Sequence, residues 1–443
     1  MDLNSLVCLS LGLQEIIIER HQFSEQHQKL VIHAKLPLSE ARCKKCFFDF
    51  LDLHQWHEKT IRIPTIGISN KVFLHLKYPR GHCFFCQKVM AADLYFIHPE
   101  FKGLSCSFVE VAGRMMEETT CAAAARLTCC NRKLLWKVDQ WRMKYMKKYY
   151  SLPTNLDCSR MSADEVHFIT QKNKKRENPF SPRRHIKYIT NLVCSTKSKV
   201  VANASGREYG SLKNCLNLLS DEQKDSIKFF SLDMHADFFK AVRELCPNAE
   251  IAVDRYHLVE SMNKVFNELR KDEFRAAKKR NDEFQVGMLE PGRRFILMQR
   301  NPDLSIEEHN LLGKLKMLNV NINAGMLIVD YFHRVLDQTG LSKFRERLVK
   351  WYGLVRDSKL KSFRKFALQV RKYRKNIEAY IKSNLTTAIS EGLNNKIKVL
   401  KRMGYNYTNE KSFKNKILQR CGFLNSRFID TNFMFWHVPY PQI

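Results

Sequence analysis

The sequence predicts a multidomain protein built around an α/β sheet, and three observations support this fold class. First, apolar runs alternate in the order β-β-β-α-β-α-β between residues 161 and 254, which is typical of a mixed sheet covered by helices. Second, two Cys-x-x-Cys pairs lie in a β-rich segment before it. Third, a long stretch with helical periodicity and no clear strand follows it. The length of 443 residues allows two to four domains.

The composition favours a folded protein with a polyanionic partner. Lys and Arg number 75 against 45 Asp and Glu, so the formal net charge is +30. Such an excess suits nucleic acid, because basic side chains neutralise phosphates and release counterions. The alternative is a generally basic protein whose charge serves solubility. Hydrophobic residues make up 44% of the chain, which excludes a disordered chain.

The cysteines and the N-terminal segment predict a reducing cytoplasm. The 14 cysteines are mostly scattered, unlike the framework of a small secreted domain. The first basic residue is Arg20, so the basic region that opens a signal peptide is missing. No apolar run is long enough to cross a bilayer. We therefore expect no membrane partner.

The first domain is predicted to span residues 1–105 and to bind one structural zinc ion. Cys43 and Cys46 form one knuckle, and Cys83 and Cys86 form another, 36 residues further on. Each Cys-x-x-Cys turn can supply two of the four thiolates that tetrahedral zinc requires, and four cysteines close the site. The alternative is two unrelated buried pairs.

Residues 106–150 are predicted to form a helix-turn-helix. Thr120 can cap a short helix, residues 128–130 form a turn, and a second helix begins at Asn131. Three apolar residues of the second helix are expected to be buried: Leu134, Leu135 and Val138. Its first residues would reach base edges: Asn131, Arg132 and Lys133. The alternative is an ordinary helix pair of a bundle.

The central region is predicted from 158 to 257. Its elements are a strand at 161–170, two strands within 185–205 joined by a turn at Ser195–Ser198, a helix at 211–226, a strand ending at Asp233, a helix, and a strand ending at Asp254. Basic segments at 172–187 and 359–375, the latter with interleaved aromatic residues, could line a groove for phosphates. Either segment alone is more commonly a solvated face.

Three acids of this region are predicted to converge. Asp164 lies on the first strand and Asp233 ends the fourth, so adjacent strands would place them side by side. Glu391 must come from a helix at 388–402. At about 100° per residue, that helix presents Asn395, Lys398 and Arg402 on the face of Glu391. Its opposite face is apolar: Leu393, Ile397 and Leu400. An ordinary amphipathic surface helix would show the same pattern.

Clustered carboxylates of this kind suit magnesium, which prefers oxygen ligands. Two such ions can activate an attacking oxygen and stabilise a leaving oxygen during phosphodiester cleavage. Glu165 points to the other face of its strand and is the less favoured ligand. Asp254 and His257, after the last strand, are either an auxiliary metal or substrate contact or a structural hydrogen-bonded pair. Asn395 is a further auxiliary residue.

The ordered motifs resemble those of DDE transposases of bacterial insertion sequences, specifically the ISL-three (ISL3) group. The matching segments are the paired knuckles, the helix-turn-helix, Asp164-Glu165, LDMH at 232–235, PNAEIAVDRYH at 247–257 and EGLNNKIKVLKRMGYNY at 391–407. The resemblance covers nearly the whole chain, and the last motif is the most specific. One departure is a basic insert at 171–184, where family members commonly continue directly to the next strand.

The resemblance implies a retroviral-integrase-like, RNase H-like catalytic core with a helical insertion. It implies that Asp164, Asp233 and Glu391 are the DDE triad and bind two Mg²⁺ ions, with Mn²⁺ as a substitute. The remaining domains would be a helical insertion at 258–385, a glutamate helix completing the core at 386–425, and a C-terminal tail at 426–443. A bacterial cytoplasmic protein associated with the nucleoid is expected.

The function implied is DNA transposition. The protein would bind the terminal inverted repeats of its element as a homodimer, cleave the DNA with Mg²⁺ and transfer the strand into target DNA. Lys398 and Arg402 would contact the DNA beside the active site. The alternative is a zinc-finger and helix-turn-helix DNA-binding regulator with a non-catalytic RNase H-like body, which would have no need of all three acids.

Overall fold

The computed structural model describes residues 8, 16–66, 69–171, 185–293, 297, 305–383, 388–404, 407, 409–427 and 429. Most of the predicted basic segment at 172–187 and of the predicted tail at 426–443 lies outside the described residues. The chain divides into two compact units. The first comprises residues 1–151 and 400–443, and the second comprises residues 152–399.

The first unit begins with a five-stranded sheet. Its strands are β1 (Ile17–Ser24), β2 (Lys29–Lys35), β3 (Phe50–Ile63), β4 (Lys71–Cys83) and β5 (Val89–Ala91). The order is β1-β2-β4-β3, with β5 also paired to β4, and only β2 and β4 run parallel. Alternate residues of β4 are buried, because successive side chains of a strand face opposite sides. The sheet therefore packs one apolar face into a core.

Three helices follow the sheet in this unit: α1 (Cys106–Glu118), α2 (Cys121–Leu127) and α3 (Arg132–Lys148). Each begins at a residue whose side chain accepts a backbone N–H bond, namely Ser105, Thr120 and Asn131. Such caps satisfy amides that lack a partner within the helix. The caps predicted at Thr120 and Asn131, and the turn between them, are confirmed.

The second unit contains the predicted mixed sheet. Its strands are β6 (Arg160–Gln171), β7 (His185–Cys194), β8 (Lys199–Ser205), β9 (Phe229–Leu232) and β10 (Glu250–Val253). Their order is β10-β9-β6-β7-β8. β6, β7 and β8 pair antiparallel, whereas β9 and β10 run parallel to β6. The predicted alternation of strands and helices is confirmed, including the turn at Ser195–Ser198.

Helices α4 (Tyr209–Leu216), α5 (Asp221–Asp225) and α6 (Ala236–Leu245) connect these strands. The prediction of one continuous helix over 211–226 is wrong. Ser220 and Gln223 form a reciprocal capping box, which starts a new helix after α4 has ended. The second helix, of sequence DEQKD, has no buried residue, so no apolar stripe marks it as separate from α4.

The rest of the second unit is helical in its described part. The helices are α7 (Arg255–Lys279), α8 (Glu283–Leu289), α9 (Ile306–Leu318), α10 (Val320–Leu336), α11 (Leu341–Asp357), α12 (Lys361–Lys372), α13 (Arg374–Ser383) and α14 (Ala388–Met403), the last of which runs into the first unit. Phe332, Trp351 and Phe366 are buried and lie with ring centroids 4.8 to 6.0 Å apart. These rings form the centre of the helical core.

Helix α15 (Glu410–Cys421) belongs to the first unit. Its Lys416 bonds Asp139 of α3 at 2.8 Å, and its Arg420 donates to the carbonyl of Glu117 in α1 at 2.8 Å. These polar contacts hold α15 against α1 and α3. None of the described helices combines the length and apolar character needed to span a bilayer.

Candidate active site and metal centre

The four predicted cysteine ligands converge. The sulfur atoms of Cys43, Cys46, Cys83 and Cys86 all lie within 4.8 Å of one another. Individual Sγ–Sγ distances are 3.2 Å for Cys46–Cys83, 3.4 Å for Cys46–Cys86 and 3.9 Å for Cys43–Cys86. A tetrahedral ion with Zn–S bonds of about 2.3 Å needs sulfurs roughly 3.8 Å apart. The cluster is therefore compatible with zinc.

The two knuckles share one backbone design. The residue after each pair, Phe47 or Gln87, has a positive φ of 63° or 52°. Its N–H donates to the carbonyl of the first cysteine, at 2.8 Å for Cys43 and 3.0 Å for Cys83. This matched turn brings both thiols of a pair to one side. Such left-handed backbone is uncommon in residues other than glycine. Its occurrence at the equivalent position of both knuckles indicates that the two turns place their thiols in the same way.

The acids of the second unit lie at one level of its sheet. β6 and β9 pair in parallel with Ser162 opposite Ser231, and continuing that register places Asp164 level with Asp233. β9 and β10 pair with Leu232 opposite Val253, so Asp233 and Asp254 follow side by side. Asp164, Asp233 and Asp254 therefore lie at the same edge of the sheet. The sequence predicted this arrangement for Asp164 and Asp233.

Asp164 is held by two hydrogen bonds. The backbone N–H of Glu165 donates to its Oδ1 at 2.7 Å, and Asn394 of α14 donates to its Oδ2. Burial raises the pKa of Asp164, and the nearby Asp233 carboxylate raises it further. The Glu165 N–H, His257 and Asn394 oppose that rise. The Asp164 carboxyl group is thus held in a fixed orientation, while the neighbouring Asp233 carboxylate disfavours its ionised form.

Glu165 is more involved than the sequence suggested. Burial, followed by the charges of Asp233 and Asp164, raises the pKa of Glu165 to about 7. Its Oε2 is buried and has no hydrogen-bond partner among the described residues, and the same holds for Oδ1 of Asp233. Two buried carboxyl oxygens without donors beside a third acid form a site that favours a cation.

Glu391 occupies the first turn of α14 and is exposed. The residue of α14 that touches Asp164 is instead Asn394, which is 9% exposed. Among the described residues, the four cysteines form the one group of three or more His, Cys, Asp or Glu side chains close enough to hold a metal ion. Asp164, Asp233 and Glu391 do not form such a group here. The predicted faces of α14 are confirmed: Leu393, Ile397 and Leu400 are buried, and Asn395, Lys398 and Arg402 are exposed.

Asp254 and His257 flank the acids at the start of α7. Asp254 caps this helix by accepting the N–H of Tyr256 at 2.7 Å, a role different from the Asp254–His257 hydrogen-bonded pair considered from the sequence. Nε2 of His257 lies 3.9 Å from Oδ2 of Asp254. The charge of His257 lowers the pKa of both Asp164 and Glu165, so this imidazole is part of the same electrostatic environment.

The start of α3 is exposed, as expected for DNA contact. Asn131, Arg132 and Lys133 are all exposed, although Oδ1 of Asn131 is engaged by the N–H groups of Lys133 and Leu134. Leu135 and Val138 are fully buried, while Leu134 is only half-buried. Trp136 is 55% exposed on this helix, a feature that the sequence analysis did not single out.

The predicted phosphate-binding segment at 359–375 is partly corrected. Phe363 and Phe366 are buried in the helical core, so these rings are unavailable for stacking on bases. The hydrophobic spacing of α12 explains this, because it places Phe363, Phe366 and Val370 on one face. The cations of the other face remain available for phosphates.

Comparison with known proteins identifies the family. The family model for ISL3-type DDE transposases, which carries the description "Transposase", matches residues 179–417, more than half of the chain. The chain belongs to this family. It is therefore a transposase, and its general activity is DNA transposition. The resemblance seen in the motifs is confirmed.

Two bacterial relatives and one solved structure resemble this transposase. The transposase for insertion sequence element IS1001 of Bordetella parapertussis is 21% identical over 92% of this chain and 95% of its own length. The transposase for IS1557 of Mycobacterium tuberculosis (strain H37Rv) is 21% identical over 51% of this chain and 55% of its own length. The Drosophila P element transposase strand transfer complex covers 71% of this chain and 92% of its own, with 11% identity and a TM-score of 0.37.

Sequence reasoning missed Asn394 as a contact of Asp164. It lies inside the EGLNN segment, but at about 300° from Glu391 on the helix it falls at the border between the two faces. How α14 packs against β6 decides that Asn394 is buried and touches Asp164. The acid pair Asp164-Glu165 was visible, but the strand alternation argued against Glu165.

Proposed function

We propose that this transposase cleaves DNA at the ends of its element and transfers the strand to a target at an Asp164, Asp233 and Glu391 site. The observation that carries the proposal is the shared level of Asp164 and Asp233 on adjacent parallel strands, with α14 held at Asp164 by Asn394. Glu391 precedes Asn394 by three residues, so the two side chains are neighbours on the helix surface. This spacing supports a position for Glu391 near the two aspartates.

The electrostatics support divalent cations at this edge. Asp164 and Glu165 have raised pKa values because they are buried beside Asp233. Carboxylate oxygens are the ligands that Mg²⁺ prefers, so Asp164, Asp233 and Glu391 would hold it, or Mn²⁺ in its place, and Glu165 is the nearest additional acid. When bound, a pair of such ions supplies Lewis-acid activation of phosphate oxygens.

The chain's own residues perform the positioning. Asn394 fixes the orientation of the Asp164 carboxylate, and Lys398 and Arg402, exposed further along α14, would follow a phosphate backbone. The strand order is β10-β9-β6-β7-β8. β6, β7 and β8 pair antiparallel, and β9 and β10 run parallel to β6. This topology supports the RNase H-like assignment.

End recognition would belong to the first unit. A zinc ion on the four cysteines would hold the knuckles together, and the exposed start of α3 would read base edges of the terminal inverted repeats. Joining two ends in one reaction requires two active sites or two recognition surfaces, which favours a homodimer on DNA.

The test is a nicking assay on a duplex that carries the terminal repeat, with Mg²⁺ and with Mn²⁺. Asp164→Asn, Asp233→Asn and Glu391→Gln should each lower the cleavage rate by about 100-fold or more while leaving duplex binding intact. Asp237→Asn is the matched control, since this exposed acid lies on α6 just beyond Asp233. Normal cleavage by the Asp233 variant would overturn the assignment.

The same assay separates the regulator alternative. A protein that binds the repeats tightly but nicks no duplex under either metal would match a DNA-binding regulator with a non-catalytic body. Cleavage that depends on all three acids would exclude it.

A further inference from the structure

A cavity of about 570 Å³ lies in the first unit beside the start of α3. Its walls include Arg62 and Phe73 from the sheet, Phe101 and Lys102 from the loop before α1, and Lys137 from α3. It therefore joins the β-rich part of the unit to the helix pair. Nothing in the catalytic proposal uses this space.

Arg62 is an unneutralised buried cation in the cavity wall. It is 7% exposed, and its Nη2 donates to the carbonyls of Asn70 and Thr128, both at 2.6 Å. Its Nε is buried with no hydrogen-bond partner among the described residues, and no described carboxylate lies within 4 Å to form an ion pair with it. An arginine remains charged in proteins, and burying it without a counter-charge is costly.

The rings around Arg62 hold the guanidinium in place without neutralising it. The guanidinium carbon lies 4.8 Å from the ring centroid of Phe73 and 5.6 Å from that of Phe108. Cation–π contacts of this kind stabilise a cation, but the rings are neutral. The net positive charge of Arg62 therefore remains to be balanced by an anion. The site is thus built around a positive charge before any ligand enters.

Further positive charge faces the same space. Lys102 and Lys137 are exposed residues of the wall, and Glu100 is the one acid among the wall residues. The start of α3 adds the positive end of its helix dipole. The amides of Lys133 and Leu134 already donate to Asn131. The helix therefore contributes the electric field of its dipole rather than free N–H donors. Three cations against one carboxylate favour an anion.

We propose that this cavity is a phosphate site that receives a backbone phosphate of bound DNA next to the recognition helix. The inference rests on the proposed DNA binding by α3, because the cavity wall includes Asn131, whose neighbours Arg132 and Lys133 are exposed. A phosphate held there would fix the register of α3 on the duplex, since backbone contacts position a protein while base contacts specify the sequence. A free phosphate ion shares the same chemistry.

Salt-dependent binding tests the site. Full-length protein is titrated with a fluorescently labelled duplex and no added divalent cation. Lys102→Gln combined with Lys137→Gln should weaken binding about tenfold and reduce the slope of log K against log salt by about 0.9 for one lost phosphate contact. The control removes the same charge at two exposed lysines of α7, Lys271→Gln and Lys279→Gln, and should leave the slope nearly unchanged. Equal changes in both double variants would overturn the proposal.

A thiol in the wall reports occupancy directly. Cys129 is exposed and lines the cavity, so its alkylation by iodoacetamide can be followed by peptide mass spectrometry, with Cys121 as the reference thiol outside the wall. Duplex DNA should slow alkylation of Cys129 more than that of Cys121. Protection by inorganic phosphate but not by duplex would identify a small-anion site and overturn the DNA assignment, and protection by neither would remove the site altogether.

Two further comparisons keep the test independent of folding and catalysis. Arg62→Lys keeps the charge and Arg62→Gln removes it, so only the second should abolish the protection of Cys129, with circular dichroism confirming that both variants fold. Asp233→Asn should show full protection, because it alters cleavage only. Failure of the cavity and failure of the catalytic proposal are therefore seen in different assays.

Discussion

Buried charges in this protein fall into two kinds. Arg142 is 1% exposed and is neutralised by Glu110 at 2.9 Å and Glu117 at 2.7 Å, as a structural charge must be. Asp164 and Glu165 are half-buried beside the half-buried Asp233, and Arg62 is buried without a described carboxylate partner. Charges left without opposite partners cluster at functional sites. This contrast marks the acidic edge and the cavity as places for ligands.

At the residue scale, Asn394 should act as a positioning residue. Asn394→Ala removes the donor to Oδ2 of Asp164, so cleavage should fall roughly 10- to 100-fold with unchanged duplex binding. Because Asn394 lowers the pKa of Asp164, the acid limb of the rate profile should also move to higher pH. Single-turnover nicking across pH measures both effects.

Asn395→Ala is the matched control for this prediction, since Asn395 is the exposed neighbour that the sequence alone favoured. A larger loss from Asn395→Ala than from Asn394→Ala would contradict the contact seen in the structure.

His98 should make the first unit sensitive to acid. Burial lowers the pKa of His98 to about 4 from 6.5, and its Nδ1 accepts the N–H groups of Glu100 and Phe101, each at 3.1 Å. Between those two pH values the unfolded chain binds a proton that the folded chain does not, so stability falls as pH falls. Urea unfolding at pH 7 and pH 5 should show this loss.

His98→Asn keeps an acceptor for those amides but removes the titrating ring. Its urea midpoint should change less between the two pH values than that of the wild type. An equal change in both proteins would mean that His98 is not responsible.

At the element scale, hydrophobic periodicity predicted the buried faces of the helices better than it predicted where the helices end. The apolar stripe of α14 and the caps of α2 and α3 follow from residue types at fixed spacing, which act over one or two helical turns. The break between α4 and α5 was missed, because polar residues such as those of α5 can continue a helix as well as begin a new one, and the capping box at Ser220 decides between the two. Burial of Phe363 and Phe366 was also missed, because aromatic rings between cations suit either a core or a nucleic acid.

Helix α14 should depend on Ile397 for its docking. Ile397 is 0% exposed and Val399 is 43% exposed on the same helix. Ile397→Ala should lower the free energy of unfolding by about 2 to 5 kcal/mol, since it leaves a cavity in a packed core. Val399→Ala should cost no more than about 0.5 kcal/mol, and chemical denaturation compares the two. Similar losses at both positions would contradict the assigned face.

At the scale of the whole molecule, the two units carry separate chemistry. The cysteine cluster and the cavity lie in the first unit, and the acidic edge lies in the second. The catalytic roles of Asp164, Asp233 and Glu391 stay predictions, as does the zinc ion. Metal analysis and cleavage assays can therefore address the units independently.

The first unit should contain one zinc ion per chain. Cys83→Ser should abolish the bound zinc and lower the melting temperature, because metal binding supplies folding free energy. Cys129→Ser removes an exposed thiol outside the cluster and should keep the metal. Elemental analysis with thermal melting measures both variants, and a full zinc content in the Cys83 variant would exclude the four-cysteine site.

The sequence by itself determined the strand and helix order of the sheet, the convergence of the four cysteines and the level of Asp164 with Asp233, because these follow from local periodicity, turn chemistry and strand register. Only the tertiary structure decided that Asn394 touches Asp164, that Glu165 is half-buried beside two other acids, and that Arg62 faces a cavity beside α3. The physical reason is distance along the chain: these contacts join residues from separate elements, and their geometry depends on how whole helices pack against the sheets.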